Sequence, residues 1–423
     1  MRALFRITLL LIALSFWAAN CLAESAAERI YAAYQDNILQ VRMVDRGSGS
    51  KASIGSGFSV SADGLIVTNY HVIAELISRP ENYRAELVNE AGDANALTLL
   101  AVDVVHDLAL LKLATPRDSY LNLAQATPAK GEELYSFGNP HDLGLTIVTG
   151  TYNGLLEKSL YEKIHFTASI NPGMSGGPAL NRDGEVVGVN VSTAGNQISF
   201  LVPVSYVAAL LARIPDTPPD ADALAASMRD QLLANQNDYM SRLQQTPFAS
   251  VSIGDFQLPG ELAPFIKCWG DTTDDSERLY QRVYQSCSSS DDIYLSSRQQ
   301  TGIVSFRHDL YSTDELGAVR FYRLLEINLS NPHLSYAGDN ENFTKYECRS
   351  DFVDNGEIDA KVVFCLSGYK KYPGLYDLFL TATTLIENDE ALYTTLTLDG
   401  VSAENAKRFA QTYFESIQWK PQN

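Results

Sequence analysis

The sequence predicts an all-β domain of the sandwich or barrel type, followed by a linker helix and an α+β domain that carries disulfides. Three observations support this division of the 423 residues. From 57 to about 205, short β-like runs alternate with Gly, Asn, Asp and Pro, the pattern of all-β sandwiches and barrels. The stretch 215–220 holds three prolines, which break regular structure and stiffen a linker. Beyond it, 248–420 is rich in Tyr and Asp, and its strand-like runs alternate with turns.

We therefore expect domains over 24–214 and 248–423, joined by a proline-rich linker and an amphipathic helix over 215–247. Apolar residues of that helix repeat on one face, which predicts docking on a neighbouring domain. They are Leu224, Met228, Leu232, Tyr239 and Leu243. Shorter helices are predicted over 25–37 and 403–417, the second with Ser402 as its N-cap.

Residues 1–23 are typical of an export signal. Arg2 and Arg6 precede the apolar run 7–19, and Cys21-Leu22-Ala23 fits a small-x-Ala cleavage site. The apolar run is short for a bilayer span, so no membrane segment is expected after signal removal. The alternative is a lipoprotein acylated at Cys21, but the preceding residues 18–20 lack the leucine that usually stands three before such a cysteine. We expect a periplasmic or secreted protein.

Composition excludes some classes of partner. The chain has 32 Lys and Arg against 51 Asp and Glu, a formal net charge of −19. Nucleic acids and anionic membrane surfaces need a basic footprint on the protein. Neither is expected as a partner, while the hydrophobic content of 45% is ample for a packed core.

Four cysteines remain beyond the signal, all within 248–420, and their even number in an exported protein predicts two disulfides. Cys348 and Cys365 lie nearly symmetrically about Asp354-Asn355-Gly356, a hairpin-turn signal. Cys268 and Cys287 then pair by elimination, although connectivity stays open at this point. A metal site is the alternative, but the sequence has no C-x-x-C and no nearby histidine pair. We expect neither a metal nor a cofactor.

A glycine-rich loop over 171–178 carries the candidate nucleophile, Ser175. A hydroxyl is a weak nucleophile that needs a base to remove its proton and donors to hold the developing oxyanion. The backbone N–H groups of Gly173 and Ser175 would form that oxyanion hole. The simpler alternative is a tight turn with an incidental serine.

His71 is the candidate base and Asp107 its partner. His71 follows the β-like run 65–68, so its imidazole can face a cleft at the end of a strand and take the serine proton. Asp107 precedes the apolar run 108–113, where a partly buried carboxylate needs a partner such as an imidazole N–H. A core histidine is the alternative for His71, and Asp103 is the alternative acid. His106, His141 and His165 are expected at the surface.

Five motifs follow one another along the chain. They are Gly55-Ser56-Gly57-Phe58, Thr68-Asn69-Tyr70-His71-Val72, Asp107-Leu108-Ala109-Leu110-Leu111-Lys112, Phe137-Gly138-Asn139-Pro140 and Gly173-Met174-Ser175-Gly176-Gly177-Pro178. Through these motifs, residues 40–210 resemble the trypsin-like, chymotrypsin-fold serine peptidases of the Deg/HtrA branch. The resemblance implies two six-stranded β-barrels, with His71 and Asp107 from the first and Ser175 from the second. It also implies polypeptide substrates, unfolded chains among them, and is compatible with an oligomer.

Two departures bear on specificity. Met174 stands where the family usually has Asn or Asp, and Ser169, six residues before Ser175, is neutral where trypsin-type members have Asp. We therefore expect cleavage after small or apolar residues, contacted by Ile198 and Phe200. The run 198–203, with Ser199, resembles the strand that pairs with substrate.

The C-terminal third does not resemble the PDZ domains that usually follow in Deg proteases, and its role is open. The leading hypothesis is an exported serine endopeptidase. A non-catalytic or latent scaffold whose C-terminal domain binds an envelope partner is the main alternative. An esterase using the same serine is a third.

Overall fold

The computed structural model describes residues 24–88, 94–245, 247–273, 279–330, 334, 339–385 and 389–420. The predicted signal, with Cys21, lies outside these residues. The described α-helices are α1 (Ala26–Tyr34), α2 (Tyr70–Ser78), α3 (Val204–Leu211), α4 (Ala221–Gln245), α5 (Ala318–Ser330) and α6 (Ala403–Glu415). None of these helices is long and apolar enough to cross a membrane.

The first β-barrel follows α1, which begins at a capping box formed by Ser25 and Glu28. Its strands are β1 (Ile38–Asp45), β2 (Lys51–Ser59), β3 (Leu65–Thr68), β4 (Tyr83–Val88), β5 (Ala94–Asp103) and β6 (Leu108–Leu113). They close in the order β1-β2-β3-β6-β5-β4. Inward-facing side chains such as Val41, Ile66 and Leu111 are fully buried, as the two-residue alternation of a strand requires.

The second β-barrel has the same number of strands. They are β7 (Glu133–Gly138), β8 (Thr146–Leu155), β9 (Ile164–Thr167), β10 (Pro178–Leu180), β11 (Val186–Thr193) and β12 (Ser199–Pro203). They close in the order β10-β11-β12-β9-β8-β7. A buried cluster containing Phe58 and Leu110 of the first barrel and Tyr135 and Val189 of the second joins the two barrels. The double six-stranded barrel expected from the resemblance is therefore confirmed.

The C-terminal domain is built on an antiparallel sheet, as the α+β prediction expected. The remaining strands are β13 (Ser250–Ile253), β14 (Phe256–Pro259), β15 (Ile266–Thr273), β16 (Gln281–Ser289), β17 (Ile293–Ser296), β18 (Gln299–Thr301), β19 (Val304–Ser312), β20 (Glu347–Asp354), β21 (Asp359–Gly368), β22 (Tyr376–Thr384), β23 (Glu390–Val401) and β24 (Gln418–Trp419). Seven of them form the sheet β15-β16-β19-β23-β22-β21-β20. Phe409 and Tyr413 of α6 pack with one face of this sheet and Phe321 of α5 with the other, which explains why β22 is buried along nearly its whole length.

The two disulfides staple opposite edges of this sheet. Cys268–Cys287 joins the edge strand β15 to β16, and Cys348–Cys365 joins the other edge strand, β20, to β21. In both pairs the cysteines lie directly opposite each other in the antiparallel register, with Cα atoms 4.0 Å apart. The hairpin signal at 354–356 therefore led to the correct pairing.

The linker helix α4 lies between the two domains. Leu224, Met228 and Leu232 of α4 belong to the core that includes the first barrel, whereas Tyr239 and Leu243 belong to the core of the C-terminal domain. The apolar face of the helix thus docks on both neighbours, and the domains share a continuous packed surface.

Candidate active site

The loop before β10 holds Ser175 in a backbone conformation that needs glycine on both sides. Gly173 and Gly176 have φ angles of +98° and +84°, which side chains rarely adopt. A Cβ on Gly173 would lie 2.4 Å from Asn139 O, and one on Gly176 would lie 2.2 Å from Ser56 O. The glycines therefore let the loop approach both barrels, with Ser175 between them.

The carbonyl groups of Pro172 and Gly173 accept hydrogen bonds from residues outside this loop. His141 N–H donates to Pro172 O at 3.0 Å, and Ser56 Oγ donates to Gly173 O at 2.8 Å. Within the described part of the chain, the N–H groups of Gly173 and Ser175 donate to no protein acceptor. These two predicted oxyanion-hole donors are consequently available to a ligand. Met174 is buried, so the unusual residue fills the core rather than the loop surface.

His71 and Asp107 are joined by two hydrogen bonds. Asp107 accepts from His71 N–H through Oδ1 at 2.8 Å and lies 2.6 Å from His71 Nδ1 through Oδ2. Because a carboxylate only accepts, Nδ1 carries the proton and Nε2 is left as the basic nitrogen. Asp107 has a φ of +55°, and Asn69 Nδ2 donates to its carbonyl at 2.8 Å, which holds this backbone conformation.

The environment of His71 raises the pKa of its imidazole. Burial acts to lower the pKa, while the charge and the hydrogen bond of Asp107 raise it, and the net direction is upward. The side chain of His71 is nevertheless 28% exposed. His71 is therefore partly accessible to solvent rather than a core histidine.

Asp103, the alternative acid, is engaged elsewhere. Its carboxylate lies 3.0 Å from His106 Nδ1 and 3.2 Å from Arg213 Nη2. His106 stacks on Tyr206 with ring centroids 3.7 Å apart, so it is more enclosed than the surface residue that we expected. His141 is exposed and His165 half-buried.

The serine loop and the histidine segment meet through β2 and β3. Ser56 N–H donates to Ser175 O at 2.8 Å, and Thr68 Oγ1 donates to Ser56 O at 2.7 Å. A Cβ on Gly176 would lie 3.0 Å from Asn69 N. The residue after Ser175 thus touches the backbone two residues before His71. No hydrogen bond joins Ser175 Oγ to His71 among the described contacts.

The residues expected to contact substrate differ in exposure. Ser169 is exposed, Ile198 is 43% exposed and Phe200 is half-buried. Ser199 is buried, and its hydroxyl donates to Ala168 O at 2.7 Å. Its side chain therefore supports the loop that carries Ser169.

The backbone edge available to an extended peptide is on β11 rather than β12. Residues 199–201 of β12 are paired on one side with β11 and on the other with β9. On β11, pairing with β10 ends at Val189, and Asn190 bonds to Gly176 and Gly177 of the serine loop. Residues 191–193 continue β11 beyond the end of β10. On the side where β10 lies, no described strand pairs with them. This edge, which begins beside Ser175, was not predicted from the sequence.

The comparisons agree with this architecture. Residues 55–189 match the trypsin-like peptidase domain. The chain is similar to the mitochondrial serine protease HTRA2 of Bos taurus, with 37% identity over 161 residues, 36% of this chain and 34% of that protein. It is also similar to the probable periplasmic serine endoprotease DegP-like of Chlamydia pneumoniae, with 34% identity over 160 residues, 35% of this chain and 32% of that protein.

Among solved structures, the serine endoprotease from Yersinia pestis is 25% identical with a TM-score of 0.39, over 45% of this chain and 66% of that chain. The chain spans about a third of the length of these two curated relatives. The family match at 55–189 begins in β2 and ends in β11.

Proposed function

Because residues 55–189 match the trypsin-like peptidase domain and the barrels resemble the Deg/HtrA proteases, we propose that this protein is a serine endopeptidase. Ser175 is the nucleophile, His71 the general base and Asp107 the residue that orients the base. One observation carries the proposal. His71 and Asp107, joined by two hydrogen bonds, lie near a serine loop in which the N–H groups of Gly173 and Ser175 donate to no acceptor among the described residues.

In the proposed reaction, His71 Nε2 removes the Ser175 proton as Oγ attacks the carbonyl carbon of the peptide bond. The carbonyl oxygen becomes an oxyanion that accepts from the N–H groups of Gly173 and Ser175. The imidazolium, stabilised by Asp107, then donates its proton to the leaving amine, and an acyl-enzyme remains. Water activated by the same nitrogen hydrolyses the acyl-enzyme and restores Ser175.

The substrate is a polypeptide that adds a strand to residues 191–193 of β11. Main-chain pairing of this kind gives affinity without dictating sequence, and it suits unfolded segments that are free to extend. For the residue before the cleaved bond we propose a small or apolar side chain, because Ser169 is neutral and the nearby Ile198 and Phe200 are apolar.

We also propose that the protein acts outside the cytoplasm. Its two disulfides are stable in oxidising compartments, and the name of the Chlamydia pneumoniae relative places that protein in the periplasm. Mass spectrometry of the protein purified from its own cells tests the export signal. A mature chain beginning at Glu24 is expected, and a diacylated N-terminal Cys21 would indicate the lipoprotein alternative.

Labelling with a fluorophosphonate tests the catalytic assignment, with Ser175→Ala as the matched control. We expect labelling of the wild type alone, together with cleavage of β-casein. Folded wild-type protein that neither reacts nor cleaves would favour the scaffold hypothesis. Turnover of small esters without casein cleavage would favour the esterase.

The pH profile tests the role of His71. The base acts only when neutral. Burial lowers the pKa of its imidazole, but Asp107 outweighs burial and the net effect raises the pKa above its ordinary 6.5. We therefore expect kcat/KM to fall as the pH drops through a value above 6.5. A flat profile between about pH 5 and 8 would contradict this assignment.

A further inference from the structure

A hairpin of the C-terminal domain, formed by β17 and β18 over 293–301, lies against the helix that carries His71. Tyr70 OH donates to Leu295 O at 2.7 Å, and Ser297 Oγ donates to Glu75 Oε1 at 2.9 Å. Tyr70 and Glu75 belong to α2 and flank His71 in the chain. The hairpin is therefore fixed to this helix on both sides of the histidine.

The same hairpin is anchored to the second barrel at its beginning. Asp291, two residues before β17, accepts from Lys163 Nζ at 2.9 Å, Leu160 N–H at 2.7 Å and Ser159 Oγ at 2.9 Å. These three donors lie between β8 and β9. Since one anchor is on each barrel, the hairpin spans both halves of the peptidase domain.

Tyr294 lies between two fully buried residues of the hairpin and packs against the edge of the same core. Ile293 and Leu295 are buried in a core shared with Val72 and Ile73 of α2. Tyr294 is only half-buried, and its ring lies edge-on to the His71 ring, with centroids 6.0 Å apart and an interplanar angle of 71°.

A second edge-on contact fixes the orientation of the Tyr294 ring. Its centroid lies 6.5 Å from that of Tyr70 at 69°, a favoured geometry for aromatic pairs. Burial raises the pKa of the Tyr294 hydroxyl, and the charges of Glu75 and Asp107 raise it further. The phenol therefore stands in the field of the Asp107 carboxylate.

We propose that Tyr294 is a positioning residue of the active site, supplied by the C-terminal domain. Its ring restricts rotation of the His71 imidazole and shields the bond between Nδ1 and Asp107 from water. Enclosure strengthens that hydrogen bond and keeps Nε2 directed towards the serine loop. This inference rests on the proposed function, and it assigns the C-terminal domain a part in catalysis.

Kinetics of two substitutions test the proposal. Tyr294→Phe keeps the ring and should retain wild-type casein cleavage. Tyr294→Ala removes the ring and should lower kcat by about tenfold, because small displacements of a catalytic group are costly. KM should stay within about twofold, since the ring acts on the chemical step rather than on substrate binding. Tyr322→Ala, which removes an exposed tyrosine of α5 in the same domain, is the control and should behave as wild type.

A spectroscopic measurement tests the proposal without relying on activity. The His71 Nδ1 proton, assigned by its loss in His71→Gln, should give a sharp low-field proton NMR signal in the wild type and in Tyr294→Phe. In Tyr294→Ala the signal should broaden, because water reaches the proton and exchange becomes faster. Circular dichroism verifies that each variant is folded.

The outcomes separate this inference from the proposed function. Unchanged kcat and an unchanged signal in folded Tyr294→Ala would overturn the positioning role. Faster cleavage by Tyr294→Ala would also overturn it, because the ring would then obstruct the cleft. If the wild type cleaves nothing but its signal still broadens in Tyr294→Ala, the positioning of His71 stands and the peptidase assignment fails.

Discussion

Replacing Asp291 with alanine should loosen the C-terminal domain from the second barrel. The Asp291 side chain is 5% exposed and faces Lys163, whose side chain is 25% exposed. In Asp291→Ala the lysine loses its counter-ion, and Leu160 N–H loses the acceptor that it now has at 2.7 Å. The substitution removes the hydrogen bonds from three donors, Ser159, Leu160 and Lys163, at one point of the domain interface.

The loss in the free energy of unfolding depends on how exposed Lys163 and Leu160 are. Breaking a fully buried ion pair by removing one partner costs about 3–5 kcal/mol. Water reaches the Lys163 ammonium group and solvates it, so the cost is smaller here. Leu160 is half-buried, so its N–H without a partner adds an amount near the lower end of the about 1–3 kcal/mol that a buried one costs. We expect a loss of about 3 kcal/mol in the free energy of unfolding of the C-terminal domain with its interface. Asp291→Asn retains one oxygen acceptor and should lose about half as much.

Tryptophan fluorescence in urea suits this measurement. Beyond the predicted signal, the tryptophans of the chain are Trp269 and Trp419, both in the C-terminal domain. Fluorescence therefore reports the unfolding of this domain. The rate at which a fluorophosphonate labels Ser175 reports whether the barrels are still folded. Asp291→Ala should shift the fluorescence midpoint to lower urea and slow labelling at urea concentrations where wild type still reacts.

Two results would refute the reasoning. A midpoint for Asp291→Ala equal to that of the wild type would mean that these hydrogen bonds contribute nothing net. Equal losses for Asp291→Ala and Asp291→Asn would mean that the remaining oxygen is not used as an acceptor. The first result would remove Asp291 from the set of anchors of the 293–301 hairpin. The second would mean that the anchor requires the charged carboxylate and not a single oxygen acceptor.

Three further predictions concern other parts of the molecule. Asp107→Asn should lower kcat for casein on the order of 10⁴-fold, because the amide favours the wrong imidazole tautomer; retained activity would exclude Asp107 from the triad. Burial, and then the charge of Asp377, raise the pKa of the Asp399 carboxyl. The folded state therefore holds this proton more tightly than the unfolded state, and stability should fall as the pH rises from about 4 towards neutral, with a slope of at most about 1.4 kcal/mol per pH unit from this group. Asp399→Asn should flatten this dependence in urea titrations between about pH 4 and 8; an unchanged slope would contradict it. Reduction of Cys348–Cys365, 17 residues apart in sequence, should cost the C-terminal domain about 3 kcal/mol, and an unshifted fluorescence midpoint would argue against that value.

The acid partner of His71 shows what could be predicted from the sequence and what could not. Asp103 and Asp107 occur in the same short segment, and the resemblance favoured Asp107. The structure supplies a physical reason, since the positive φ of Asp107 turns its carboxylate towards His71 N–H. Asp103 instead pairs with His106 and Arg213, and Arg213 follows far along the chain.

Features that depend on contacts between distant segments were not predictable. The free edge of β11 exists because β10 pairs with β11 only as far as Val189, and strand pairing does not show in the local pattern. The contact of Tyr294 with His71 joins two domains, and nothing in the residues around Tyr294 marks it. The pairing of Cys348 with Cys365 could be predicted from the sequence, because a local turn fixes the register of the hairpin that contains both cysteines.

The two disulfides at the edges of the sheet bear on the resistance of the C-terminal domain to proteolysis. A protease cleaves a strand only after that strand leaves its sheet, and an edge strand has only one neighbouring strand to separate from. Strand β20 is exposed along its whole length, so burial does little to hold it in place. Its disulfide, with the matching one on β15, ties each outermost strand to its neighbour. For a molecule proposed to cut extended chains, these two bonds limit self-digestion by neighbouring copies.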